Sequence, residues 1–426
     1  MNRTDFHIKA HQVLLLLLAF SLPFPLLYSN ILIFITLANH LAAGNLISKF
    51  KNTWKNEINR YLLSFYLLIV ISVIFNPFTA ESSAILERRL VFLAFPILLS
   101  EPIHIQQFRK ILYAFVIGVF IALSYCLFAS SYQYFVTADI TNLFYHSLAA
   151  HINLNAIYLS AYIVFSIFIV VDSFPNTHPK YRILLLLAAL VFLIVLILLS
   201  SKMMLFVLLL GLLYLLYKNI QWSKIHRMIL LFSTLAIFAL IFTIPQVRNR
   251  FALEIASNLH VVNLQEYTYN TPFTGTTLRL TIWKYCYVIL ERNHAWMMGV
   301  GVGHFQELLN QEYKAVGMYT GNPQLKDTGY LGYGPHNQYI ETLLSMGIIG
   351  LLLFLLLILR QLFKSVQTVN ALYILFVALH ILFFLSESSL STNKGIIFYA
   401  FFTLVFGSLS TNNKQESIES PTFSFG

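Results

Sequence analysis

Long apolar runs separated by short polar turns set the rhythm of this chain; Leu14–Ala19 and Ile183–Leu199 contain no polar position. A helix crosses a bilayer with about 20 apolar residues, and with fewer where the bilayer is thin. On that measure the pattern predicts twelve spans, near 12–28, 30–48, 61–76, 86–100, 110–130, 155–172, 182–200, 203–218, 227–244, 337–359, 369–386 and 394–410. The first reads as a retained span, not a cleaved signal. Its apolar stretch continues past Pro23 and Pro25 to Leu27 without a small-x-small cleavage pattern, and the second span follows at once.

The expected fold class is therefore an all-α polytopic membrane protein. A bundle of about nine transmembrane helices covers 1–244, and an extracytoplasmic loop domain with helical segments covers 245–336, between helices 9 and 10. The C-terminal transmembrane helices cover 337–410, and a disordered cytoplasmic tail covers 411–426. A connection as long as 245–335 usually carries function or structure of its own. Within it, Arg279, Trp283 and Tyr287 recur at i, i+4, i+8, which predicts one helix with an aromatic and basic face suited to the headgroup level.

Composition narrows the class further. The chain is 58% hydrophobic and 10% charged, against about 45–50% and 25% for soluble domains, so a soluble enzyme and a disordered chain are both excluded. The formal net charge of +10 raises the question of nucleic acid, but position answers it. With the N-terminus inside, most of the 27 lysines and arginines fall in cytoplasmic segments, and the short outer loops hold only Arg88, Arg89, Lys202 and Lys394. That is the positive-inside bias, and no nucleic acid is needed. It places both termini in the cytoplasm. Two cysteines, Cys126 and Cys286, are too few for a cysteine zinc site, and their contexts argue against a structural disulfide.

The outer cations stand out because the topology does not explain them. Ionisable residues at membrane depth are costly and mark function by default. Arg88 and Arg89 begin the fourth span, Lys202 sits at the tight turn after the seventh, and Arg279 lies in the long loop. Cations facing one cavity suit a diphosphate; the plainer reading is that each snorkels to headgroups or pairs with a local acid such as Glu87.

The sharpest local signal is Gly334-Pro335-His336-Asn337-Gln338-Tyr339, directly before a long apolar helix. His336 and Asn337 fall at that helix's N-terminus, where unpaired N–H groups and the dipole favour anions. The same field disfavours imidazolium, which suits a His336 that accepts a proton; the plainer reading is a helix cap. Gly347 and Gly350 are expected to permit close helix contact.

Other candidates carry less. Met298-Gly-Val-Gly-Val-Gly303-His304 fails the G-x-G-x-x-G spacing and is read as a turn. His146 and His151 are spaced poorly for one helical face and have no carboxylate or cysteine cluster, so no metal site is expected. Glu387, at the turn between the last two spans, either orients a cation of the site or pairs with Lys394. No nucleophile elbow is present.

Together these features resemble the bacterial O-antigen ligase and O-antigen polymerase superfamily. The family motif H-[NSQ]-x9-G-x-x-G is matched by His336, Asn337, Gly347 and Gly350, after a long outer loop as in the family. Arg279-Leu-Thr-Ile-Trp283 resembles its R-x-x-x-[LW] element, Gly299–Phe305 its Gly-rich turn, and Glu387 with Gly395 its final hairpin. The likeness covers spans seven to twelve, and the first half mainly by hydropathy. One departure is Ser201-Lys202, where members often carry Ser-Arg or Thr-Arg. Lysine keeps the charge and loses the bidentate fork.

The resemblance implies an inverting glycosyltransferase that needs no metal and no cofactor. It would move a glycan from an undecaprenyl-diphosphate carrier to an acceptor hydroxyl, lipid A-core or another glycan, at the periplasmic face of the bacterial inner membrane. By resemblance His336, Arg279 and Lys202 would be catalytic, and Asn337, Arg88, Arg89, Trp283 and Glu387 would bind substrate, with membrane lipids as surroundings. A polysaccharide polymerase and a protein O-oligosaccharyltransferase share these features and differ in the acceptor. A transporter of lipid-linked glycans is the alternative of another class, and it would place its charges along the bilayer midplane.

Overall fold

The computed structural model describes residues 3–76, 79–218 and 258–409 apart from 323, 325 and 326, with scattered positions between 219 and 257. The expected ninth span falls almost wholly outside the described residues, and so does the tail at 411–426.

Among the described residues the architecture is all-helical, with two isolated bridges and no named strand. Helices α1 (Arg3–Ser21), α2 (Leu26–Ala42), α3 (Leu46–Lys55), α4 (Glu57–Phe75), α5 (Ala80–Arg89), α6 (Val91–Leu98), α7 (Ile105–Thr137), α8 (Tyr145–Ala150), α9 (Ala156–Ser173), α10 (Pro179–Leu199) and α11 (Lys202–Lys218) precede the long connection. Helices α12 (Gly275–Arg292) and α13 (Phe305–Ala315) lie within it, and α14 (Gln338–Gln367), α15 (Ala371–Ser386) and α16 (Asn393–Gly407) follow. Among the described residues five segments are long and apolar enough to cross a membrane: Glu57–Phe75, Ile105–Thr137, Ala156–Asn176, Pro179–Leu199 and Gln338–Gln367. Counting the bent pair α2 and α3 as one span makes six.

Three expected spans look different in three dimensions. The stretch 12–28 holds the end of α1 at Ser21 and the start of α2 at Leu26, with a turn at 22–25 between them. The stretch 30–48 is not one rod: α2 and α3 meet at 117°, where Gly44 and Asn45 both take positive φ (80° and 55°). The stretch 86–100 is divided between α5 and α6 at Leu90, whose N–H bonds back to Glu87 as the cap of α5. Apolar length alone does not register a break made by backbone conformation.

Among the described residues two apolar cores organise the helices. The larger runs through the bundle from Leu15 to Phe406, with α9 and α16 almost wholly buried inside it. The second belongs to the long connection: Val261, Tyr267, Ile282, Tyr285, Cys286, Leu309, Tyr313 and Met318 pack together and dock on Leu344 of α14. Helix α12 is thus anchored by its own core, and its N-terminus is closed by a reciprocal Thr274–Thr277 capping box. Both cysteines are free and buried; burial pushes the Cys286 thiol upward, away from the reactive thiolate.

The join between the two cores explains the glycines. Gly347 interrupts α14 with φ 64° and ψ −165°, a region closed in practice to residues with a Cβ. The freed backbone is taken up by the Gly-rich turn: Val300 N–H bonds to Leu344 O at 2.9 Å, Gly301 N–H to Ser345 O at 3.0 Å, and Ile348 N–H to Trp296 O at 2.8 Å. A Cβ on Gly347 would lie 2.2 Å from Met297 O, and one on Gly299 2.4 Å from Met346 N. Gly347 therefore serves a backbone break that the Gly-rich turn fills, and not the close helix contact expected of it. The break sets the angle at which residues 338–346 carry His336 towards α15 and α16.

Candidate active site

His336 occupies the left-handed region (φ 47°) just before α14. Histidine tolerates this better than most residues, at a cost of about 1–2 kcal/mol. The conformation is held from both sides. Trp283 Nε1 donates to Pro335 O at 2.7 Å. Asn337 caps α14, its side-chain oxygen accepting from Tyr339 N–H and Ile340 N–H at 3.0 and 3.1 Å. Asn337 also reaches the α15–α16 turn, its backbone N–H donating to Ser388 Oγ at 3.3 Å and its amide to Leu385 O at 3.2 Å. Asn337 and Trp283 thus spend their polar atoms on placing the turn that bears His336.

The α15–α16 turn supplies Glu387, the centre of the arrangement. Its Oε2 lies 3.1 Å from His336 Nδ1 and its Oε1 lies 3.2 Å from Arg279 Nη2. Glu387 is buried (6% side-chain exposure), whereas Arg279 and His336 are each about one-third open. An ionised carboxylate only accepts hydrogen bonds, so against one Nδ1 of His336 is the donor, and in the neutral ring Nε2 is then the nitrogen with the lone pair. Arg279 offsets the buried charge that this needs. Of the two partners weighed for Glu387, the site cation is the one found. Lys394 turns away and donates to the carbonyls of Leu22 and Phe24.

Arg88 and Arg89 form a second group alongside. Arg89 is 4% exposed; its Nη2 lies 3.4 Å from Glu341 Oε1 and its Nε donates to Leu390 O at 3.2 Å. Its Nη1 is buried without a hydrogen-bond partner. Arg88 pairs with Glu81 and donates to Ser391 O at 3.3 Å. The local acid expected for these arginines, Glu87, is replaced by Glu81 and Glu341. A cavity of about 40 Å³ lies among Glu81, Arg88, Arg89, Phe305, Glu341 and Ser391. Ser391 Oγ donates to Glu341, and Gln338 Oε1 accepts from Leu390 N–H at 2.7 Å. The turn 388–391 is therefore shared by both groups.

Glu341 was not among the residues singled out from the sequence. The signal was present: it is a carboxylate inside an apolar helix, five residues after His336, and the rule applied to the cations applies equally to it.

Lys202 starts α11 after Ser200, which has φ 52°. Helices α11 and α15 pack against each other, and Lys218 Nζ at the end of α11 donates to Val369 O just before α15. The two helices are therefore antiparallel, which puts Lys202 at the Glu387 end of α15. His146 instead accepts a bond from Ala156 N–H at 3.4 Å, and among the described residues no group of three or more metal-ligand side chains occurs.

Comparison with known proteins adds an independent observation. Residues 185–355 match the family described as O-Antigen ligase, a stretch that includes Lys202, Arg279, His336 and the Gly347–Gly350 pair. The superfamily assignment made from the motif is borne out over this stretch. A protein of Haemophilus influenzae, described only as uncharacterized, is 27% identical over 201 residues, 44% of this chain. The chain spans about half the length of that curated relative (47%).

Proposed function

Taking residues 185–355 as an O-antigen ligase domain, we propose that the protein is a metal-independent, inverting glycosyltransferase. It transfers a glycan from an undecaprenyl-diphosphate carrier to a hydroxyl of lipid A-core, at the periplasmic face of the inner membrane. The twelve-span topology with both termini inside belongs to this reading, since it gives His336, Arg279 and Lys202 the same outer side.

The observation that carries the proposal is the single carboxylate of Glu387 shared by His336 and Arg279. His336 Nε2 takes the proton of the acceptor hydroxyl as that oxygen attacks the anomeric carbon. The new C–O bond forms on the face opposite the departing group, and the bond from the anomeric carbon to the diphosphate oxygen breaks. Undecaprenyl diphosphate leaves with the electron pair, and Arg279 and Lys202 stabilise its growing charge. Preorganised cations of this kind supply some of the largest contributions to catalysis. Glu387 fixes the tautomer of the neutral ring and stabilises the imidazolium that forms.

The test is a gel of the surface glycan and of the undecaprenyl-linked pool from a strain lacking the gene. Long glycan stranded on the carrier with bare lipid A-core supports the ligase. A core bearing one repeat points to a polymerase, and an unglycosylated exported protein with normal lipopolysaccharide to a protein oligosaccharyltransferase. Both pools unchanged in a strain without a redundant copy would overturn transfer altogether.

A further inference from the structure

A second cavity, of about 450 Å³, opens between α4 and α14 and is lined by Glu57, Arg60, Tyr61, Ser64, Leu353 and Arg360. It lies within the usual size range of small-molecule sites. Arg360 is 13 residues beyond the break at Gly347, roughly 20 Å along the continuous part of the helix, and its neighbour Lys364 reaches Gly407 O at the end of α16 away from the 388–391 turn. The cavity therefore belongs to the end of the bundle opposite His336.

Its mouth carries a surplus of positive charge. Glu57 alone serves two guanidiniums: Oε2 pairs with Arg360, and Oε1 lies 3.7 Å from Arg60. Lys364, one turn beyond Arg360, donates to Gly407 O. Arg60 and Arg360 remain 46% and 38% exposed, so both have donors to spare. From this mouth both helices become apolar in the same direction. Along α4 the exposed face runs Arg60, Ser64, Leu67, Ile71, Ile74; along α14 it runs from Arg360 to Leu356 and Ile349, with Leu353 in the cavity wall. Two facing helices thus share one gradient, from guanidinium to hydrocarbon.

We propose that this groove binds one anionic phospholipid. Its phosphate lies between Arg60 and Arg360, and an acyl chain follows Leu67 and Ile71 on one side and Leu356 and Ile349 on the other. Guanidinium forks match phosphate oxygens, and basic pockets between transmembrane helices recognise anionic headgroups. A free phosphate satisfies the mouth but leaves the apolar stripe without an occupant, so the lipid is the ligand assigned.

The test uses the full-length protein, delipidated in a neutral detergent. It is titrated with phosphatidylglycerol, phosphatidylcholine or inorganic phosphate, and retained molecules are counted by native mass spectrometry. Expected is one phosphatidylglycerol per chain, weakened about fivefold by Arg60→Gln or Arg360→Gln and strengthened by Glu57→Gln, which removes the competing acid. The Glu57 variant guards against a mere folding defect, because a damaged protein would not bind more tightly. Equal retention of phosphatidylcholine, unchanged binding in the arginine variants, or phosphate binding as strong as that of the lipid would each overturn the proposal.

Discussion

His336 Nδ1 lies 3.1 Å from Glu387 Oε2, although the two residues are 51 positions apart and on different elements. The opposite oxygen of the same carboxylate holds Arg279. An imidazole and a guanidinium are thereby fixed side by side with their free faces open.

Replacing that carboxylate by its amide tests the coupling. Glu387→Gln keeps the shape but removes the charge that selects the His336 tautomer and steadies Arg279. Expected is a loss of transfer of about 10²-fold or more, the usual scale for acid–base catalysis, with protein abundance preserved and partial recovery in Glu387→Asp. Transfer rates in membranes, normalised to immunoblot signal, provide the measurement.

Arg88 and Arg89 separate by burial. Breaking a buried pair from one side costs about 3–5 kcal/mol, whereas an exposed pair is worth about 0–1 kcal/mol. Arg89→Ala, which strands the buried Glu341, is therefore expected to lower the unfolding temperature in detergent far more than Arg88→Ala. Replacing both partners, as Arg89→Met with Glu341→Leu, is expected to restore most of the stability. Restored stability without restored transfer would leave Arg89 a role with substrate.

Gly347 offers a stability test at a residue that touches neither Glu387 nor Arg279 and acts on His336 only through the angle of the helix. Gly347→Ala places a Cβ against Met297 O inside the join between α14 and the Gly-rich turn. Gly332→Ala is the control, since Gly332 also has positive φ (85°) but no atom near its missing Cβ. The control is expected to cost about 1 kcal/mol for the left-handed conformation, and Gly347→Ala several times that, read from thermal unfolding.

One pH effect belongs to the long connection. Hydrogen bonds from Tyr319 Oη and Gly329 N–H hold the Asp327 carboxyl below its ordinary 3.8, and the same pairing raises the Tyr319 hydroxyl to about 12. A depressed carboxyl stabilises the folded loop above its unfolded value and loses that contribution as pH falls through the lowered one. The protection of the Gly329 amide, corrected for the intrinsic exchange rate at each pH, is therefore expected to fall as pH drops through the lowered Asp327 value. Tyr319→Phe is expected to reduce that pH dependence.

Much of the site was legible in the sequence because its residues break membrane rules. Arg279, His336 and Glu387 are ionisable groups beside apolar helices, and the motif around His336 located the helix N-terminus. Partner choice was not legible. Glu387 and Lys394 are close in sequence, yet Lys394 reaches the α1–α2 connection and Glu387 reaches two residues from other elements. Of the Arg89–Glu341 pair, Arg89 stands out as a cation in a short outer loop, whereas Glu341 lies inside an apolar helix behind the His336 motif. Gly347 was read by composition as a packing residue. Its φ and ψ, and the turn that fills the break, are properties of three-dimensional docking that no spacing of apolar residues encodes.

The most direct measurement is the transfer rate of the purified His336→Ala protein, reconstituted with lipid-linked glycan donor and lipid A-core acceptor, beside the wild type at equal amount and equal thermal stability. Expected is a loss of about 10²–10⁴-fold, with donor binding retained through Arg279 and Lys202. Full transfer by the variant would contradict the role given to His336 and, with it, the mechanism built on Glu387.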